Sequence, residues 1–131
     1  MERPRVLLVD DTPEILALCT EILRPHYEIV GTAPDGESAI AAFKTTTPDA
    51  VVLDISMPRL DGIEVARRLR SSGSPAAIVF LSGDVEFMMA ALEAGGSGFV
   101  AKWLIGSDLP VAIREALAGR VFVSSPTTKL P

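Results

Sequence analysis

The sequence has few of the residues that build covalent cross-links or metal cages. It contains one cysteine, Cys19, and one histidine, His26. A single cysteine excludes a disulfide framework within the chain and a cysteine-cluster metal site, and it is typical of a reducing compartment. With one histidine, a zinc site is not expected either. We therefore expect a cytoplasmic protein whose fold depends on its packed core.

Long apolar runs and excess positive charge are also missing. No apolar stretch approaches the roughly 18 residues that a membrane span needs, and residues 1–5 do not resemble a secretory signal. The 12 Lys and Arg residues stand against 17 Asp and Glu, which gives a net charge of −5. Nucleic acids bind basic patches, so an acidic domain is a poor match for them. We expect neither membrane insertion nor direct binding of nucleic acid.

What the sequence does contain is a regular alternation of two kinds of segment. With 131 residues, 48% of them apolar, the chain is long enough for one domain with a substantial core. Short apolar runs rich in Val, Ile and Leu favour strands that are buried on both faces. These runs are Val6–Val9, Tyr27–Val30, Ala50–Ile55, Ala76–Leu81 and Gly98–Ala101.

Between the apolar runs lie stretches with helical spacing of apolar residues. Five helices are predicted, and caps, prolines and glycines mark their ends. They begin at Pro13, after Gly36, after Gly62, near Val85 and near Ser107-Asp108, and they end before Pro25, near Thr45, before Gly73, at Ala94 and at Gly119. Strands that alternate with helices predict an α/β fold with a mostly parallel sheet covered on both faces.

Polar residues gather where the predicted strands end. Asp10 and Asp11 follow the first run, Asp54 lies near the end of the third, and Ser82 and Lys102 follow the fourth and fifth. Because the carboxyl ends of parallel strands meet at one edge of the sheet, we expect these side chains to converge there. Each residue alone is an ordinary turn, cap or strand end. Together they predict a functional site.

The residue types at this edge indicate phosphoryl chemistry. Three carboxylates without histidine suit Mg²⁺, which prefers few protein carboxylates and keeps bound waters. The formal charges of Asp10, Asp11, Asp54, Lys102 and one Mg²⁺ cancel, so the pocket would accept a dianionic phosphoryl group. Carboxylates are known nucleophiles for phosphoryl transfer.

The order and spacing of these residues resemble the receiver domain of bacterial response regulators, over residues 4–120. The resemblance implies an α/β, flavodoxin-like fold. Its doubly wound parallel sheet would have five strands in the order 2-1-3-4-5, with five helices. Residues 121–131 would be a C-terminal tail or the start of a linker. Four motifs carry the resemblance: Val9-Asp10-Asp11, Leu53-Asp54-Ile55-Ser56-Met57-Pro58 with Asp61-Gly62, Leu81-Ser82-Gly83, and Gly98-Phe99-Val100-Ala101-Lys102.

The resemblance also implies how the acids act. Asp54 would accept a phosphoryl group from a histidine kinase or a phosphotransfer protein. Asp11 would bind Mg²⁺ directly, Asp10 would bind it through water, Asp54 would be a further ligand, and the Ser56 backbone carbonyl would complete the protein ligands.

Three further residues would carry the response to phosphorylation. Ser82 would donate its hydroxyl to a phosphoryl oxygen, Lys102 would pair with the phosphate, and Phe99 would be an aromatic rotamer switch. The surface of the fourth helix, fifth strand and fifth helix would then bind an output protein, a fused output domain or a second copy of the chain. No external substrate would be turned over, so the resemblance does not imply an enzyme.

The chain departs from the family pattern after Lys102, where Trp103 stands in place of the usual proline. A cis bond before a residue other than proline costs roughly 2.5–4 kcal/mol, so this peptide bond is predicted to be trans. Residues 116–124 resemble the end of receivers that continue into a helix-turn-helix DNA-binding domain.

Three other functions are compatible with parts of the sequence. The main alternative is a protein-binding module of the same fold that works without phosphorylation. A small aspartate-nucleophile phosphatase needs a second acid two positions after the nucleophile, where this chain has Ser56. A dinucleotide-binding domain needs glycine in the first turn, which here runs from Asp10 to Pro13 without one.

Overall fold

The computed structural model describes residues 2–125, which form an α/β fold with one sheet between two layers of helices. Turns of 3-10 helix at Val85–Phe87 and Lys102–Leu104 lead directly into the fourth and fifth helices. The elements are β1 (Arg5–Val9), α1 (Pro13–Leu23), β2 (Glu28–Ala33), α2 (Gly36–Thr46), β3 (Ala50–Asp54), α3 (Gly62–Ser71), β4 (Ala77–Ser82), α4 (Met88–Glu93), β5 (Gly98–Ala101), α5 (Ile105–Leu117) and β6 (Phe122–Val123).

The sheet has six strands in the order β2-β1-β3-β4-β5-β6, and every neighbouring pair is parallel. The α/β class and the order of the first five strands are confirmed. The predicted number of strands is wrong by one, because Phe122 and Val123 pair with Gly98 and Phe99. A strand of two residues is too short to produce an apolar run that sequence reasoning would recognise. It lies in the segment predicted as a tail, so the folded part extends past Arg120.

Each face of the sheet carries its own core. Cys19 and Leu23 of α1 and Leu109 and Ile113 of α5 pack on one face, while residues of α2, α3 and α4 pack on the other. All residues of β3 and β4 are buried, which explains why these strands read as continuous apolar runs in the sequence. No helix among residues 2–125 is long and apolar enough to cross a membrane.

Most helix boundaries agree with the predicted ones. Asp35 and Asp61 cap α2 and α3, and their side chains accept hydrogen bonds from the backbone N–H groups of Ser38 and Glu64. The helix α5 was predicted to start near Ser107-Asp108, but it starts at Ile105. The reason is that a 3-10 turn at Lys102–Leu104 follows β5 directly and leads into the helix. The remainder of the predicted tail, residues 126–131, lies outside the described residues.

Candidate functional site

The carboxyl edge of the sheet brings together the three acids predicted from the sequence. Asp10 follows β1, Asp11 lies in the turn into α1, and Asp54 is the last residue of β3. Since Val9 pairs with Leu53, Asp10 and Asp54 continue two adjacent strands in register. One carboxylate oxygen from each acid lies within 4.8 Å of the others. Asp10 and Asp54 are each only 1% exposed, whereas Asp11 is exposed at the mouth of the site.

Lys102, the residue after β5, reaches both buried acids. Its Nζ lies 3.1 Å from Asp54 Oδ1 and 3.3 Å from Asp10 Oδ2. None of the peptide bonds in residues 2–125 is cis, so the Lys102–Trp103 bond is trans, as predicted. The ammonium therefore reaches the acids with Trp103 in the position where the family usually has proline.

Two buried oxygens of this cluster have no hydrogen-bond donor among the described residues, Asp10 Oδ2 and Asp54 Oδ2. The first is paired with the Lys102 ammonium, but Asp54 Oδ2 forms no ion pair with any residue of the segment 2–125. A buried carboxylate oxygen without a partner is unfavourable, and a cation or a new bond to phosphorus would remove that cost. Together with the close oxygens of Asp10 and Asp11, this arrangement fits Mg²⁺.

Burial and the adjacent charge of Asp10 raise the pKa of Asp54 from 3.8 to about 6, against the opposing effects of Lys102 and the Ser56 N–H group. Burial alone would lower the pKa of Lys102, but Asp54 and Asp10 raise it above its ordinary value. The ammonium is therefore charged at neutral pH, while the three acids outnumber it. The site holds excess negative charge that a divalent cation would offset.

Ser56 lies two residues after Asp54 and contacts it through the backbone. Its backbone N–H donates to Asp54 Oδ1 at 3.3 Å, and the residue is exposed. The predicted role of its carbonyl as a metal ligand stays a prediction.

Ser82 ends β4 next to the acids and is 3% exposed. Its Oγ donates to the Asp84 carbonyl at 2.8 Å and accepts from the Asp84 N–H at 3.0 Å. Asp84 in turn caps the 3-10 turn before α4 by accepting from the Glu86 N–H. The hydroxyl is thus tied to the loop that enters α4.

Phe99 lies in β5 and is fully buried in the core on the α2, α3 and α4 face. It pairs with Val123 of the unpredicted strand β6. In the structure the Phe99 ring points into the core. Its role as a rotamer switch stays a prediction.

Sequence reasoning missed two close contacts of residues near the site, those made by Gly62 and by Ser124. A Cβ at Gly62 would lie 2.1 Å from the Asp54 carbonyl oxygen, so α3 approaches the end of β3 too closely for a side chain. In the sequence, the Asp61-Gly62 pair indicates only a helix start and a family motif. Ser124 is 2% exposed and bonds to both β5 and α5, although its Ser- and Thr-rich surroundings are typical of a linker. Neither contact has a signal in the sequence, because both depend on the packing of distant segments.

Comparison with known proteins relates the chain to regulators of differing activity. A family model described as the response regulator receiver domain matches residues 6–114. Transcriptional regulatory protein PrrA of Mycobacterium leprae is 38% identical over 119 residues, which cover 89% of this chain and 51% of PrrA. A protein-glutamate methylesterase/protein-glutamine glutaminase of Halalkalibacterium halodurans is 38% identical over 136 residues, which cover 98% of this chain and 38% of that protein. The chain spans about half of the first relative's length and less of the second.

A solved structure agrees over the whole domain. The crystal structure of a two-component response regulator of the LuxR family from Aurantimonas sp. SI85-9A1 has a TM-score of 0.87 and 35% sequence identity. The alignment covers 98% of this chain and 94% of that one. The family match contains Asp10, Asp54 and Lys102, the residues whose side chains meet at the carboxyl edge. The chain belongs to the response regulator receiver domain family of two-component systems.

Proposed function

We propose that this receiver accepts a phosphoryl group on Asp54 in a Mg²⁺-dependent reaction and passes the change to a partner-binding surface. The observation that carries the proposal is the buried Asp54 Oδ2, which has no hydrogen-bond donor among the described residues. It belongs to a carboxylate already oriented by Lys102 at 3.1 Å and clustered with Asp10 and Asp11. An oriented carboxylate with one unbonded oxygen is suited to nucleophilic attack.

In the proposed reaction, a histidine kinase or phosphotransfer protein supplies the phosphoryl group. An Asp54 oxygen forms the new bond to phosphorus while the bond from phosphorus to the donor nitrogen breaks, and the nitrogen keeps the electron pair. Asp11 and, through water, Asp10 would hold Mg²⁺, with the Ser56 carbonyl as a further ligand. The bound ion would offset negative charge on the acids and on the transferred group. Lys102 would pair with the phosphoryl oxygens.

The response would start at Ser82 and Lys102. Phosphorylation adds negative charge beside both side chains and offers Ser82 a stronger acceptor than the Asp84 carbonyl. Breaking the bond between Ser82 and Asp84 would shift the loop into α4 and change the surface formed by α4, β5 and α5. An output protein, a fused output domain or a second copy of the chain would bind this surface in one state. Phe99 would adjust its packing as this loop moves.

A phosphate-transfer experiment tests the proposal. We expect a small acyl phosphate with millimolar Mg²⁺ to add one phosphoryl group to the chain, detected by intact-mass measurement. Chelation of Mg²⁺ or the Asp54→Asn substitution should abolish the addition. A wild-type chain that stays unmodified at millimolar Mg²⁺ would contradict the proposal.

The alternative is a module of the same fold that binds partners without phosphorylation. It is favoured by Trp103, an apolar residue beside the site that is 38% exposed. Soaking with Mg²⁺ and beryllofluoride, a phosphoryl mimic, separates the two functions. Density for the mimic on Asp54 supports the phosphoacceptor, and an empty acidic pocket supports the module.

We further propose that the domain works in the cytoplasm, turns over no external substrate and binds no nucleic acid directly. The support is the family, the acidic composition and the single buried cysteine, Cys19.

A further inference from the structure

The chain leaves β6 through a serine that is buried between β5 and α5. The Ser124 N–H donates to the Phe99 carbonyl at 2.9 Å. Its Oγ accepts from the Ala101 N–H at 3.1 Å and donates to Asp108 Oδ2 at 2.6 Å. Ser124 is 2% exposed, and its bond to the Ala101 N–H is buried, whereas the bond to Asp108 is partly buried. We call this set of three hydrogen bonds the Ser124 clamp.

The Ser124 clamp joins both ends of the segment that carries the site ammonium. Ala101 directly precedes Lys102, and Asp108 lies in the first turn of α5. Asp108 is fixed further by Ser107, whose Oγ donates to Asp108 Oδ1 at 3.0 Å. The clamp therefore holds both ends of the segment 102–107, which comprises the 3-10 turn after β5 and the start of α5.

The Ser124 hydroxyl also completes the edge of the sheet. Pairing between β5 and β6 ends at Phe99 and Val123, so β6 offers Ala101 no ladder partner of its own. The serine hydroxyl takes that place and satisfies the N–H of a fully buried residue. Loss of the hydroxyl would leave a buried donor unpaired next to Lys102, which costs more than an exposed hydrogen bond.

We propose that Ser124 is a positioning residue for Lys102 and that it couples the docking of β6 to the state of the phosphoacceptor site. Lys102 is followed by Trp103, which does not fix its own backbone angle as proline does, and Ser124 holds the residues on either side of this segment, Ala101 and Asp108. Coupling between two sites is reciprocal. If the clamp strengthens binding of a phosphoryl group that pairs with Lys102, that phosphoryl group strengthens the clamp by the same factor. The segment after Val123 thereby senses phosphorylation. This inference rests on the proposed function of Asp54 and extends it to the path by which the signal leaves the domain.

Two clamp variants and a matched control test the positioning role. Ser124→Ala removes the hydroxyl and Asp108→Ala removes its acceptor. Ser97→Ala is the control, because Ser97 Oγ accepts from the Ile78 N–H at 3.3 Å and makes a similar bond at the other end of β5. Trp103, the only tryptophan, serves as the fluorescent reporter for titrations with Mg²⁺ and then with beryllofluoride.

We expect both clamp variants to weaken beryllofluoride binding about fivefold relative to the wild type and to Ser97→Ala. The acids that would bind Mg²⁺ keep their places, so its dissociation constant should change by less than about twofold. A merely structural role would weaken binding equally in all three variants, and that result overturns the proposal.

A second measurement needs no phosphoryl mimic and uses the reciprocal perturbation. In Lys102→Met, the Ala101 and Ser124 amides should exchange with solvent about fivefold faster relative to the Ile78 amide than in the wild type. An unchanged ratio overturns the coupling, even if Ser124→Ala does not fold. If the wild type binds no beryllofluoride, the proposed function of Asp54 fails, and the exchange ratio still decides the coupling.

Discussion

Replacing Asp54 with asparagine should stabilise the unliganded domain at neutral and alkaline pH while removing its phosphoacceptor. Asp54 is 1% exposed and lies close to Asp10, and these two conditions raise its pKa from 3.8 to about 6. Its charged form is therefore unfavourable in the folded state, despite the contact with Lys102. Asparagine has the shape of the carboxyl group without the charge, so it removes this cost.

The size of the effect follows from the pKa shift. A shift from 3.8 to about 6 corresponds to about 3 kcal/mol of unfolding free energy. Since the folded-state pKa lies above the unfolded value, the folded protein binds this proton more tightly. The stability of the wild type should therefore fall as pH rises from about 4 to about 6 and then level off. Asp54→Asn lacks this titration, so its advantage should reach about 3 kcal/mol at about pH 8 and vanish near pH 4.

Urea unfolding of both chains at the two pH values, without divalent cations, measures the difference. Glu93→Gln, which changes an exposed acid of α4, controls for the loss of one negative charge. Mg²⁺ at about 100 times its dissociation constant should return nearly 3 kcal/mol to the wild type. The reasoning is refuted if Asp54→Asn is less stable than the wild type at alkaline pH. It is equally refuted if the gain is the same at both pH values.

Three further predictions concern the metal, the ammonium and the backbone of the site. Calorimetric titration should show Mg²⁺ binding strengthen from about pH 5 to about pH 7 as Asp54 loses its proton, and affinity that is independent of pH would contradict the pKa assignment. Lys102→Met should slow phosphoryl incorporation at least about tenfold in a mass-resolved time course while retaining Mg²⁺ binding, and an unchanged rate would remove Lys102 from the reaction. Gly62→Ala should lower the melting temperature and weaken Mg²⁺ binding, because its Cβ would lie 2.1 Å from the Asp54 carbonyl oxygen. Gly106→Ala, where a Cβ meets no atom within 4 Å, is its control, and equal effects would contradict the packing argument.

The architecture could be predicted from the sequence because the local signals, apolar runs and helix starts, agree with the elements of the fold. The buried strands β3 and β4 produce continuous apolar runs, and the helix starts predicted after Gly36 and Gly62 agree with α2 and α3 to within one residue. The strand β6 could not be predicted, since two residues carry no periodicity and pair only because α5 returns the chain to the edge of β5.

The sequence predicts which residues meet at the site, but it does not predict the hydrogen bonds that they make. Strand ends indicated that Asp10, Asp54 and Lys102 meet, and the distances from Nζ of 3.1 and 3.3 Å agree. The sequence does not show in which direction the side chains of Ser82 and Ser124 point. The Ser82 hydroxyl bonds to the loop before α4, and Ser124 lies in a segment whose composition is typical of a linker. Hydrogen bonds between segments distant in sequence decide such details.

The most direct test of the account is the identity of the residue that carries the phosphoryl group. The chain is phosphorylated with an acyl phosphate and Mg²⁺, reduced with borohydride to convert the acyl phosphate to an alcohol, and analysed by peptide mass spectrometry. We expect reduction at Asp54 alone. Modification at Asp10, Asp11 or Ser82 instead, or at no residue, would contradict it.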